Sequence, residues 1–142
     1  MMALLVLLNF AVTAYLTGVI WTVQLVHYPS FALVPAAAFP AFHRAHLARM
    51  GWVVMAPMVA ELLLAAAWAW QARTGPALGA LGLVGFVWVV TFLVSVPLHN
   101  RLAAEGWAYA TVYGLNRTNW LRTLAWTLRF ALVGWVLAEL LP

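Results

Sequence analysis

Ala77–Leu98 reads ALGALGLVGFVWVVTFLVSVPL, 22 consecutive residues without a charge. A helix rises about 1.5 Å per residue, so this run reaches about 33 Å and crosses a hydrocarbon core of about 30 Å. Just upstream, Gln71-Ala-Arg-Thr-Gly-Pro76 is a short polar turn with a Gly-Pro breaker, and before it Leu47 to Trp70 forms a second apolar run of spanning length. The two runs form a tight transmembrane hairpin. Working outward, Met1 to Val26 supplies a first run and Thr118 to Leu140 a last one. The reading is an all-α, four-transmembrane-helix bundle, one domain over 1–142, with spans at about 3–26, 47–70, 77–98 and 118–140 and both termini on the same side.

Composition points the same way. The chain is 67% hydrophobic and 7% charged, with a mean hydropathy of +0.98, whereas a soluble domain carries roughly 25% charged residues. Seven arginines, no lysine and three acids raise the pI to about 10.4 but form no water-facing basic stripe, so no nucleic-acid partner is expected. The absence of Cys excludes disulfides, thiolate ligands and dithiol redox chemistry.

The first run carries no basic n-region. Although Ala11-Val-Thr-Ala14 looks like a small-residue cleavage site, the apolar run continues past it, and a spanning helix is expected rather than a removed signal. Pro29, Pro35 and Pro40 mark 27–42 as a connection or re-entrant segment. With four spans, that connection and the polar stretch His99 to Arg117 share one end of the bundle. That end holds Arg44, Arg49, Arg101, Arg117 and Arg122, against Arg73 alone at the terminal end. The positive-inside rule makes it cytoplasmic, with the termini outside.

Polar residues fall in stripes that run to this end. At 100° per residue, Asn9, Thr13, Thr17, Gln24 and His27 or Tyr28 share one side of span one; Trp88, Thr91, Ser95 and His99 repeat the pattern in span three. Span four aligns Asn119, Arg122, Trp126 and Arg129, and span two aligns His43 with Glu61. A charge near the bilayer centre costs roughly 2.5–3.5 kcal/mol on insertion scales, so Glu61 and Arg129 should face inward. At about 1.5 Å per residue they lie about 21 and 16 Å deep, close enough to be each other's counter-ion. The pair either locks the bundle or serves a substrate as a catalytic charge. Pro57 should kink span two and open space near Glu61.

All four histidines lie at one level: His27 ends span one, His43 and His46 open span two, and His99 ends span three. His43 and His46, at i and i+3, can point into one metal sphere that His27 and His99 complete; imidazole suits Zn, Fe or Cu. A haem held by two of the four is a second expectation, and ordinary interfacial hydrogen bonding a third. Opposite them stands the patch Asn116-Arg117-Thr118-Asn119-Trp120-Leu121-Arg122-Thr123, whose donors suit a phosphate, a carboxylate or an anionic lipid headgroup. Gln24, Asn116, Asn119, Arg122 and Trp126 are the candidate substrate contacts. Trp88 and Trp126 line an aromatic wall or simply pack. Gly79, Gly82 and Gly85 are expected to meet the Ala65-Ala66-Ala67 run across a small-residue helix contact.

The layout Gln24-Leu-Val-His-Tyr-Pro29, Phe42-His-Arg-Ala-His46, Pro57 with Glu61, Pro97-Leu-His99, Asn119-Trp-Leu-Arg-Thr123 and Trp126-x-x-Arg129 resembles a family of small bacterial four-helix membrane proteins of unknown function. More distantly, the Pro-x-His/Asn-x-x-Leu end of span three and the Trp- and Arg-bearing span four are similar to the anthrone-oxygenase-like membrane family. That resemblance covers about the last third of the chain and implies oxidation of a lipophilic, quinone-like substrate.

The preferred expectation is therefore a membrane metal- or haem-dependent oxidoreductase, with His27, His43, His46 and His99 holding the cofactor. Its partners are membrane lipids and a lipophilic small molecule. A proton-coupled or small-molecule transporter using Glu61 and Arg129, and a non-catalytic binding or assembly protein, are the alternatives. The polar stripes reach the terminal side only through Asn9 and Thr13, which favours a blind cavity over a pore.

Overall fold

A computed structural model describes residues 1–140. Its residues turn inside out the usual distribution of a folded chain: Leu4, Leu25, Leu63, Leu93 and Leu128 point outward, while Asn9, Gln24, Glu61, Asn119 and Arg129 are buried. Such a surface is stable only in lipid. Among the described residues there are four helices long and apolar enough to cross a membrane: α1 (Met2–Leu33), α2 (Phe39–Ala72), α3 (Gly75–Glu105) and α4 (Tyr109–Leu140). The chain is a multi-pass membrane protein. Each helix packs along its two neighbours in the order α1, α2, α3, α4 and back to α1, which places both termini at one end.

The connections are short. Arg73 closes α2 in the left-handed conformation at φ 51°, donating its backbone N–H to Ala69; Thr74 is extended, and Gly75-Pro76 opens α3, where a missing proline N–H costs nothing. Gly106, at φ 80°, ends α3.

The helices run further than the expected spans, because the prolines do not break them. Pro35 lies in the α1–α2 connection, but Pro40 sits in the first turn of α2. Pro29 and Pro97 each follow a five-residue π turn, Val23–His27 and Thr91–Ser95 respectively. A proline in α register would clash with the carbonyl four residues back, Leu25 or Leu93; the wider π turn absorbs that carbonyl and lets the helix continue. His27 and His99 thus stand on helices. So do His43 and His46, in the extra turns at the start of α2.

Pro57 also leaves α2 unbroken. It frees the Val53 carbonyl, and the Tyr15 hydroxyl donates to that oxygen at 3.1 Å. The expected contact between the α3 glycines and the alanine run does not form. A Cβ at Gly82 or Gly85 would meet nothing, and one at Gly79 would meet Leu132 of α4 at 3.8 Å; the close approach is at Gly134, 3.1 Å from Phe10. Three glycines in one stripe do not say which neighbour they face.

Candidate functional site

Two polar layers cross the bundle, one deep and one near the end opposite the termini. The deep layer is centred on the buried pair Glu61–Arg129, 3.0 Å apart and 1% and 0% exposed. Thr13 donates to Glu61 Oε1 at 3.0 Å and Trp126 Nε1 to Oε2 at 2.9 Å. Arg129 donates also to Asn9 Oδ1 at 2.8 Å and to the Ala80 carbonyl at 3.3 Å, and Asn9 donates to the Leu5 and Leu64 carbonyls. All four helices contribute. Below it Val6, Trp68, Ala77, Ala80, Val133 and Leu137 form an apolar plug.

The second layer begins with the amides. Gln24 Nε2 donates to Asn116 Oδ1 at 2.8 Å, and Gln24 Oε1 accepts from Asn119 Nδ2 at 2.9 Å and from Thr123 at 3.2 Å. These bonds fix the Asn119 amide so that Oδ1 faces Arg122, which donates to it through both Nε and Nη2. Arg122 Nη2 also reaches the Tyr28 hydroxyl at 3.2 Å. Tyr28 Oη lies 3.0 Å from His99 Nε2, and His99 Nδ1 lies 3.0 Å from His43 Nε2. His27 Nε2 and His46 Nδ1 are 2.6 Å apart. The His46 ring stacks 5.2 Å from His99 and 5.9 Å from His43, so the two pairs make one cluster of all four histidines.

Between the layers lies a cavity of about 230 Å³. Its wall is apolar, with Leu16, Ile20, Met50, Val54, Met55 and Met58; its polar end is formed by Tyr28, His46, Ser95, His99 and Arg122, and Trp126 closes it toward Glu61. Gly51 and Leu47, both lipid-exposed, line it on the α2 side. A Cβ at Gly51 would meet no atom within 4 Å, so no side chain covers the cavity wall at this lipid-exposed position. Against it, outside the bundle, a groove between α1 and α2 runs past Gly18, Val53 and His27. Val19, Val23 and Met50 line both spaces.

Of the expected substrate contacts, Arg122 and Trp126 line the cavity, whereas Gln24, Asn116 and Asn119 do not; they hold Arg122 in place. Glu61 and Arg129 lie outside the lining, joined to it through Trp126. Trp88 stacks on Phe92 rather than walling the cavity. Sequence reading underweighted Tyr28, the link between arginine and histidines, and missed the Met50, Met55 and Met58 wall. The neighbouring Pro29 was the available signal for the former; the latter had none beyond helical spacing.

Among the described residues no group of three or more His, Asp or Glu side chains is already arranged to hold a metal ion, since the imidazole nitrogens face one another in pairs. The donor chemistry nevertheless suits one. The buried carboxylate, Glu61, is committed to Arg129, and His43 Nδ1 is buried without a partner. Nitrogens on one tetrahedral ion stand about 3.3 Å apart, given metal–nitrogen bonds of about 2.0–2.1 Å, and across a haem iron about 4 Å. The pairs at 2.6 and 3.0 Å stand at hydrogen-bond distance, shorter than either spacing, so an ion would have to part them. Compared with known proteins, the chain matches no family model, no curated protein and no solved structure.

Proposed function

We propose that the chain is a membrane-embedded oxidoreductase that takes a small lipophilic, quinone-like molecule sideways from the bilayer into this cavity. His27, His43, His46 and His99 hold a transition-metal ion at the cavity's polar end, and iron or copper would supply the redox chemistry there. The observation that carries the reading is a cluster of all four histidines, two of which, His46 and His99, form part of the polar end of an apolar cavity that the lipid-exposed Leu47 and Gly51 border. An apolar chamber with a few convergent polar groups is the usual form of a small-molecule site. Arg122 and Tyr28 orient the ligand; Gly51 marks its way in. The resemblance of α4 to the anthrone-oxygenase-like family supports the same substrate class.

A transporter needs polar groups through to both faces, and the apolar plug below Asn9 favours a blind chamber instead. Arg44, Arg49, Arg101 and Arg117 are exposed at the histidine end, which supports a cytoplasm-proximal site, and the resemblance to small bacterial membrane proteins supports a bacterial inner membrane. The test is elemental analysis and an optical spectrum of detergent-purified protein beside a His43→Ala/His46→Ala variant. Bound iron or copper is expected in the wild type and not in the variant, with release on acidification because protonated imidazole cannot ligate. Wild type that binds neither metal nor haem after careful loading would sink the mechanism; a Soret band would replace the ion by haem.

A further inference from the structure

We infer that the molecule bound in this cavity is a lipophilic anion, its charged oxygen paired with Arg122 and its apolar body lying among Leu16, Ile20, Met50, Met55 and Met58. The inference rests on the reading of the cavity as a ligand chamber and not on any metal.

Two arginines are buried in the bundle, and they are served differently. Arg129 has Glu61. Arg122, 8% exposed, has no carboxylate partner among the described residues. Its Nε and Nη2 donate to neutral oxygens, Asn119 Oδ1 and the Tyr28 hydroxyl, and Nη1 makes no hydrogen bond to the described residues although the side chain lines the cavity. A guanidinium removed from water is costly unless a counter-charge compensates it, and no protein group supplies one here. The site is built for it all the same: Gln24, Asn116 and Thr123 have no contact with the cavity, yet their bonds set the Asn119 amide that aims the guanidinium. A cation with an uncommitted donor and an apolar chamber behind it describe the complement of an amphipathic oxyanion. At about 230 Å³ the chamber takes a one- or two-ring body or a short chain; a longer tail would lie out past Gly51.

Such an anion is either an ionised hydroxyl on a quinone or phenol, or the carboxylate of an acyl chain. The measurement is equilibrium binding to the protein in nanodiscs of zwitterionic lipid at slightly alkaline pH, against empty discs, as purified and again after chelation. The probes are hydroxynaphthoquinone beside unsubstituted naphthoquinone, and decanoate beside decanol. At least one anion should bind about tenfold or more tightly than its neutral counterpart, because charge-assisted bonds are roughly twice as strong as neutral ones. The pair that shows the preference identifies the source. Arg122→Gln should abolish the preference and Arg122→Lys should keep part of it. Asn119→Asp supplies a carboxylate to Arg122 from within the protein and should abolish the preference too, in a side chain of the same size. Gly51→Trp, placed at the opening, should weaken both members of a pair.

Equal affinities for anion and neutral probe in wild type, or a preference that survives both Arg122→Gln and Asn119→Asp, would overturn the inference. Anion binding is read after chelation as well as before, so its failure leaves the metal reading of the histidines intact. Absence of metal likewise leaves the anion site intact.

Discussion

The deep layer around Glu61 and Arg129 and the outer layer around Arg122 and the histidines use much the same side chains, yet one is closed and the other open. In the deep layer the charges cancel and the carboxylate oxygens, the guanidinium and the Asn9 amide are all engaged across four helices. In the outer layer Arg122 stands without a carboxylate among the described residues, His43 Nδ1 is unpartnered, and a cavity adjoins the arginine. In a bilayer an unmatched polar group is expensive, so a saturated layer reads as the clamp of the bundle and an unsaturated one beside empty space as the place for a ligand.

That contrast can be broken by substitution. The largest effect is expected from Arg129→Met, which strands the Glu61 carboxylate: about 3–5 kcal/mol of stability should be lost, read as thermal unfolding in detergent, and Glu61→Leu added to it should restore much of the loss. A tolerated Arg129→Met would move the deep layer out of the structural role. Trp126→Phe removes the indole bond to Glu61 and should cost about 1.5–3 kcal/mol, the range for a bond to a charged group, while leaving an aromatic wall on the cavity.

Arg122→Gln sharpens the comparison from the other side. It removes a cation with no counter-charge, so the stability change should stay near 1 kcal/mol, even though ligand binding falls. Because Arg122 and Arg129 share no hydrogen-bond partner, their effects should add to within about 0.5 kcal/mol in the double variant. A larger coupling would mean that the layers act as one device. The smallest change is expected from Tyr15→Phe, which unpairs the Val53 carbonyl freed by Pro57 and should cost about 0.6 kcal/mol, typical of bonds between membrane helices.

Particular residues show where sequence reading succeeded. Glu61 and Arg129 were matched by depth alone, since each carries a charge the bilayer does not tolerate singly and helical rise converts residue number into depth. The convergence of His27, His43, His46 and His99 followed from topology in the same way. Pro29 and Pro40 were misleading, because a proline breaks a helix only if nothing absorbs the orphaned carbonyl. A π turn does so at Pro29 and Pro97, a first-turn position makes it harmless at Pro40, and the Tyr15 hydroxyl caps it at Pro57. None of these remedies is visible in the proline's own neighbourhood.

The sequence by itself determined that this chain lives in lipid, that it crosses four times, and that its polar residues gather toward one end. Hydrophobicity and helical rise are properties of single residues and single helices, and they need no partner to act. Only the tertiary structure decided that Gln24, Asn116 and Asn119 serve Arg122 rather than a ligand, that Tyr28 joins arginine to histidine, and that the α3 glycines do not meet the alanine run. The physical reason is that satisfaction is relational. Whether a buried donor is spent on the protein or left for a ligand depends on which atom of another helix stands within 3 Å of it, and helical periodicity along one strand of chain carries no information about that.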